Sequence, residues 1–132
     1  MIITNVLSVL VLVSCSPGGL PAKENMLKNK SFVHIYFQTE KECMDAQPEP
    51  DFFQNCHQQV DFLKNNRVEI MLSDIYYQGT YSIQGNNVVL LIESNVEIPD
   101  GVIIFEIINP TRLKYIENGS VWKKMSGNSI WN

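Results

Sequence analysis

Histidine, basic charge, cofactor motifs and long apolar runs are all scarce in this chain. Its 132 residues include two histidines and carry a formal net charge of −4. That acidic balance leaves no basic footprint for DNA or RNA, so no nucleic-acid partner is expected. No GxGxxG, Walker loop, HExxH or CxxC occurs, which removes the common dinucleotide, phosphate, zinc and redox signatures. No Lys or Arg precedes Lys23, and the apolar stretch Val6 to Val13 is too short for a bilayer core of about 30 Å. A charged fraction of 18% and an apolar fraction of 45% are ordinary for a globular chain, and the length allows one domain.

What is present begins with that short apolar stretch, which suits the core of an export signal. It stops at Leu12-Val13-Ser14-Cys15, a run that resembles the bacterial lipoprotein box. The resemblance implies a signal peptide over 1–14, cleavage before Cys15 and a diacylglycerol on the Cys15 sulfur. It also implies a membrane partner reached through that anchor and a place in the bacterial cell envelope. Ser16 in place of Asp points to the outer membrane, facing the periplasm or the cell surface. Several acyl chains on one residue hold firmly, because each buried CH₂ contributes about 0.8 kcal/mol. Residues 15–30 are then the lipidated cysteine and a flexible tether, since "SPGGLPAKENMLKN" (16–29) opens with paired Gly and Pro.

From Ser31 the chain reads as short strands broken by turn signals, a single domain over 31–127 with a C-terminal tail at 128–132. "SFVHIYFQ" (31–38) is rich in β-branched and aromatic residues. Asn65-Asn66, Gly85-Asn86 and Asn118-Gly119 sit between strand-like runs and suit the positive φ of tight hairpins. Pro99-Asp100-Gly101 precedes "VIIFEII" (102–108). About eight strands result, joined mostly by short connections, so sequence neighbours should pair antiparallel. The expected fold is all-β: an up-and-down barrel, or else a strongly curved meander or sandwich.

Alternation assigns Val33, Ile35, Phe37, Val60, Phe62, Val68, Ile70, Leu72, Tyr81, Ile83, Ile103, Phe105, Ile107, Leu113 and Tyr115 to a dry face. Asp61, Arg67, Glu69, Thr80, Ser82, Glu106, Arg112 and Lys114 fall on the wet face. Phe32, His34 and Tyr36 form a second face of the first strand. "VVLLI" (88–92) is apolar on both faces, which predicts a cover on its outer side as well.

The strand order, with "GTYSIQGNNVVLLIE" and "INPTRLKYIENGSVWKK", resembles the small lipocalin-like lipoproteins of bacterial envelopes over most of 31–125. That resemblance implies a barrel and no particular activity.

One connection is long, "TEKECMDAQPEPDFFQNCHQ" (39–58). Thr39 and Glu42 resemble a capping box for a short helix, which Pro48 and Pro50 would end. Phe52-Phe53 are expected to plug the barrel mouth or cover its outer face. In an exported protein Cys43 and Cys56 should form a disulfide; the rival use of both with His57 and His34 as copper or zinc ligands matches no metal spacing. Glu40, Glu42, Asp45, Glu49 and Asp51 read as a solvated face rather than a calcium loop.

These features favour a non-catalytic interaction or envelope-maintenance module, with a protein partner at the 39–58 loop. No cofactor or metal is expected. An inner face without converging titratable pairs argues against an enzyme. The alternative is a carrier holding a lipid or fatty-acid-like ligand in the barrel. The candidate ligand or partner residues are Phe37, Phe52, Phe53, Phe62, Tyr81, Phe105 and Tyr115.

Overall fold

Hairpin turns set where the chain reverses. A computed structural model describes residues 20–131, so the expected signal peptide, Cys15 and the first part of the expected tether lie outside the described residues. Asn65 and Asn66 both take positive φ (60° and 56°), as do Gly85 (63°), Gly101 (69°) and Gly119 (75°). These left-handed positions are tolerated by Asn and Gly, and they fall at the expected turns.

Between the turns run β1 (Lys30–Ile35), β2 (His57–Phe62), β3 (Arg67–Met71) and β4 (Tyr76–Gln84). They are followed by β5 (Asn87–Ile92), β6 (Val102–Asn109), β7 (Arg112–Tyr115) and β8 (Val121–Lys124). Each strand pairs antiparallel with the next, and β1 pairs with β8, so the eight strands close into an up-and-down barrel. Closure leaves no unpaired strand edge. The seam is its shortest ladder, with only Phe32↔Lys124 and Val33↔Lys123 in register.

The interior is solid with side chains. Phe32, Phe62, Phe105 and Trp122 are fully buried, and Tyr81 and Tyr115 nearly so. Phe62 meets Tyr81 edge-on at 4.9 Å between ring centres, and Phe105 meets Trp122 the same way at 5.0 Å. Such contacts add about 0.5–1.5 kcal/mol each beyond simple burial. Gly79 is needed in the wall because a Cβ there would lie 2.0 Å from the Leu91 carbonyl oxygen.

Three expectations change. In β1 the inward residue is Phe32, which pairs with inward Val60. Val33 and Ile35 point outward, although Val33 is still buried. Local alternation could not choose, because β1 is apolar on both faces; the registers with β2 and β8 choose. In β5, Val88, Leu90 and Ile92 enter the core, but outward Leu91 is 55% exposed, so the expected cover is not found among the described residues. The tether is helical from Leu20 to Leu27 (α1). Pro21 suits its first turn, and Asn29 at φ 58° reverses the chain after it. Leu27 is fully buried in the core, and Lys23 Nζ donates to the Gly85 carbonyl at 2.7 Å. This helix therefore caps one end of the barrel.

Candidate functional site

The excursion between β1 and β2 leaves from the opposite end. Its helix α2 (Glu40–Asp45) starts where the sequence indicates: Thr39 Oγ1 accepts the Glu42 N–H at 3.1 Å. Glu42 Oε2 in turn accepts the Gln38 N–H at 2.9 Å. The first bond satisfies a donor that the helical turn leaves open, and the second ties Gln38, the residue before the cap, back onto the helix. Cys43 and Cys56 are buried, joined as a disulfide, with Cα atoms 5.9 Å apart. With their sulfurs bonded to one another, neither offers the thiolate that a metal site would need.

Gln47 does work that the sequence reading missed. Its Nε2 donates to the carbonyls of Cys43 (2.9 Å) and Gln54 (3.2 Å), and its Oε1 accepts the Gln54 N–H at 2.6 Å. One amide thus ties the outgoing and returning limbs together. The only hint in sequence is a Gln placed between a helix and two prolines. Beyond Gln47 the chain turns at 49–52, where the Phe52 N–H reaches the Glu49 carbonyl at 3.3 Å.

That turn presents Phe52 and Phe53 to solvent at 56% and 60% exposure. They neither plug the mouth nor lie on the barrel wall, which corrects the expected lid. Met44 on α2 is exposed as well. Around them Glu40, Glu42, Asp45, Glu49 and Asp51 are all exposed, with Lys41 paired to Asp45. The acidic residues are a solvated rim about an apolar tip.

The mouth is closed instead by the β5–β6 connection. Asn95 Oδ1 accepts the N–H groups of Glu97 and Ile98, both at 2.9 Å, and this turn drops Ile98 into the core. Asx turns of this sort let a short side chain replace backbone partners. Beside Ile98, the Tyr77 hydroxyl has its pKa raised, first by hydrogen bonding to the Glu97 carboxylate and then by burial. Tyr36 is raised by burial and by the Glu97 charge. Tyr115, nearly buried, donates to Glu117 Oε2 at 2.5 Å, and burial with that bond pushes its pKa far above the usual phenol value.

The seven aromatic residues expected to share a surface separate into three groups. Phe62, Tyr81, Phe105 and Tyr115 are core. Phe52 and Phe53 form the exposed tip. Phe37 is half-buried, lining a groove of about 500 Å³ with Ile35 and with Ile130 and Trp131 of the C-terminal tail. His34 and His57 do not converge: His34 Nδ1 lies 3.2 Å from the Val121 carbonyl, whereas His57 Nε2 lies 3.2 Å from Gln59 Oε1. Among the described residues no three His, Cys, Asp or Glu side chains gather as a metal-binding group. No family model, curated protein or solved structure matches this chain.

Proposed function

We propose that this chain is a lipid-anchored envelope lipoprotein whose barrel is a non-catalytic interaction module, with a protein partner gripped at the 39–58 excursion. The observation that carries this reading is the pair Phe52-Phe53, exposed on a loop that a disulfide and Gln47 hold in one shape. Exposing two large apolar side chains side by side costs solubility, and a rigid presentation lowers the entropy lost on binding. The acidic rim adds a charge preference to the apolar tip. Among the described residues no helix is long and apolar enough to cross a membrane; in this reading, attachment runs through Cys15.

The carrier alternative draws less support. Eight strands give a barrel just wide enough for its own side chains, and here Phe32, Phe62, Phe105 and Trp122 occupy the axis.

The test places a photo-crosslinking amino acid at position 53 of the full-length protein in the bacterial envelope. A discrete protein adduct is expected, weakened by Glu49→Lys with Asp51→Lys. Native mass spectrometry of the detergent-free protein supplies the opposing result. A bound apolar mass removed by organic extraction, with no adduct at position 53, would favour the carrier. Metabolic labelling with palmitate reads the anchor separately, and the label should vanish in Cys15→Ser.

A further inference from the structure

The two-faced apolar strand β5 provides a second surface. Cross-strand register places Val89 beside Ile104 and Leu91 beside Val102. The Ile116 N–H reaches the Ile104 carbonyl at 3.0 Å, which continues the row across β7. Leu91, Val102 and Ile116 are exposed at 55%, 37% and 47%. These five side chains thus form one apolar strip on the outer wall, three strands and about 10 Å wide. A groove of about 510 Å³ borders its Val102, Ile104 and Ile116 side and rises to Glu97, Asp100 and Glu117. No Lys, Arg or His lines that groove.

We infer that this wall docks a cationic amphipathic helix of a partner protein, its apolar stripe on Leu91, Val102, Ile104 and Ile116. Its Lys or Arg residues face Glu97, Asp100 and Glu117. Three physical points select this occupant. The barrel wall has no free edge, so the partner must satisfy its own backbone, as a helix does. A helix is about 10 Å across, the width of the strip. The three carboxylates at the mouth end of the strip attract cations and disfavour a second copy set mouth end to mouth end, while the cations Lys114 and Arg112 lie further along β7. An anionic lipid surface is repelled for the same reason. The inference rests on the reading of the protein as a binding module but uses a different face from the Phe52-Phe53 tip.

The test uses the full chain with Cys15→Ser and two synthetic helical peptides. One carries Leu on one face and Lys on the other; its twin has Glu in place of Lys. Methyl NMR should show the Leu/Lys peptide shifting Leu91, Val102, Ile104 and Ile116, while the Leu/Glu peptide shifts none. Leu91→Lys should weaken binding by at least about tenfold. Glu117→Gln, which keeps an acceptor for Tyr115, should weaken it less and flatten its salt dependence. Unchanged thermal melting of both variants assigns the losses to the surface. Replacing Phe52 and Phe53 by serine should leave this affinity intact, which separates failure here from failure of the loop reading. The inference is overturned by equal binding of the Leu/Glu peptide, by shifts confined to residues 44–53, or by no shifts at all. It is equally overturned if these methyls respond to self-association or to phosphatidylglycerol vesicles.

Discussion

Two walls of the same barrel share one topology and differ in chemistry. On the β2–β3 side, outward Asp61 accepts from Ser31 Oγ at 2.5 Å and from Gln59 Nε2 at 2.9 Å. Gln78 donates to Glu69 across the β3–β4 ladder at 3.1 Å. On the β5–β7 side the outward positions toward the mouth are Val89, Leu91, Val102, Ile104 and Ile116, with Glu106 and Lys114 in register further along the wall. Both walls present the same kind of large apolar residue to the interior. The inner face answers to packing, because a filled barrel has no slack. The outer face answers to solvent or to a partner, and the fold tolerates either chemistry. An apolar outer wall is therefore better evidence of binding than any inward aromatic residue.

The largest loss comes from inside the barrel. Trp122→Ala removes a fully buried ring shared by β7, β8 and β1, and should cost about 3–5 kcal/mol in urea unfolding. A loss under about 1 kcal/mol would mean the interior is not close-packed. Next comes the excursion: replacing Cys43 and Cys56 together by serine should cost about 3 kcal/mol in the chain-entropy model, read as a lower unfolding midpoint that reductant no longer moves.

The walls themselves separate at smaller values. Asp61→Ala leaves Ser31 and Gln59 without their acceptor and should cost about 1–2 kcal/mol. Leu91→Lys, at an exposed outward position, should change stability by no more than about 0.5 kcal/mol. If Leu91→Lys proves the costlier, the apolar wall serves folding rather than binding.

The smallest effect is a pH dependence on the polar wall. Burial lowers the His57 pKa, against smaller opposing effects from Gln59 and Asp61. A folded-state pKa below the unfolded value of about 6.5 means the unfolded chain takes up the proton first. The His57 contribution is then complete above about pH 6.5 and is lost as pH falls through the lower folded value. Unfolding midpoints at pH 7.5 and 5.5 should differ more for the native chain than for His57→Gln. Equal differences would show that the histidine is not desolvated by folding.

Much of the site was readable at positions governed by neighbours along the chain. Thr39 and Glu42 announced α2 because capping is a local bond. The Cys43–Cys56 pairing followed from there being two cysteines flanking one loop. The placement of Phe52-Phe53 was not readable, since whether a loop tip folds back or stands out depends on what occupies the mouth. Ile98, delivered by the Asn95 turn, already closes it.

Chemistry local to the chain set the strands and their reversals. Period-two alternation and Asn or Gly at Asn65, Asn66, Gly85, Gly101 and Gly119 are local constraints on φ, ψ and side-chain direction. Tertiary structure alone decided the rest: closure through the β1–β8 seam, the inward choice of Phe32 over Val33, the capping of the barrel by α1, and the exposure of Leu91. Each joins residues far apart in the chain, and a strand with apolar residues on both faces has no local reason to prefer one. Only the register with its neighbours, set by filling a closed interior, supplies that reason.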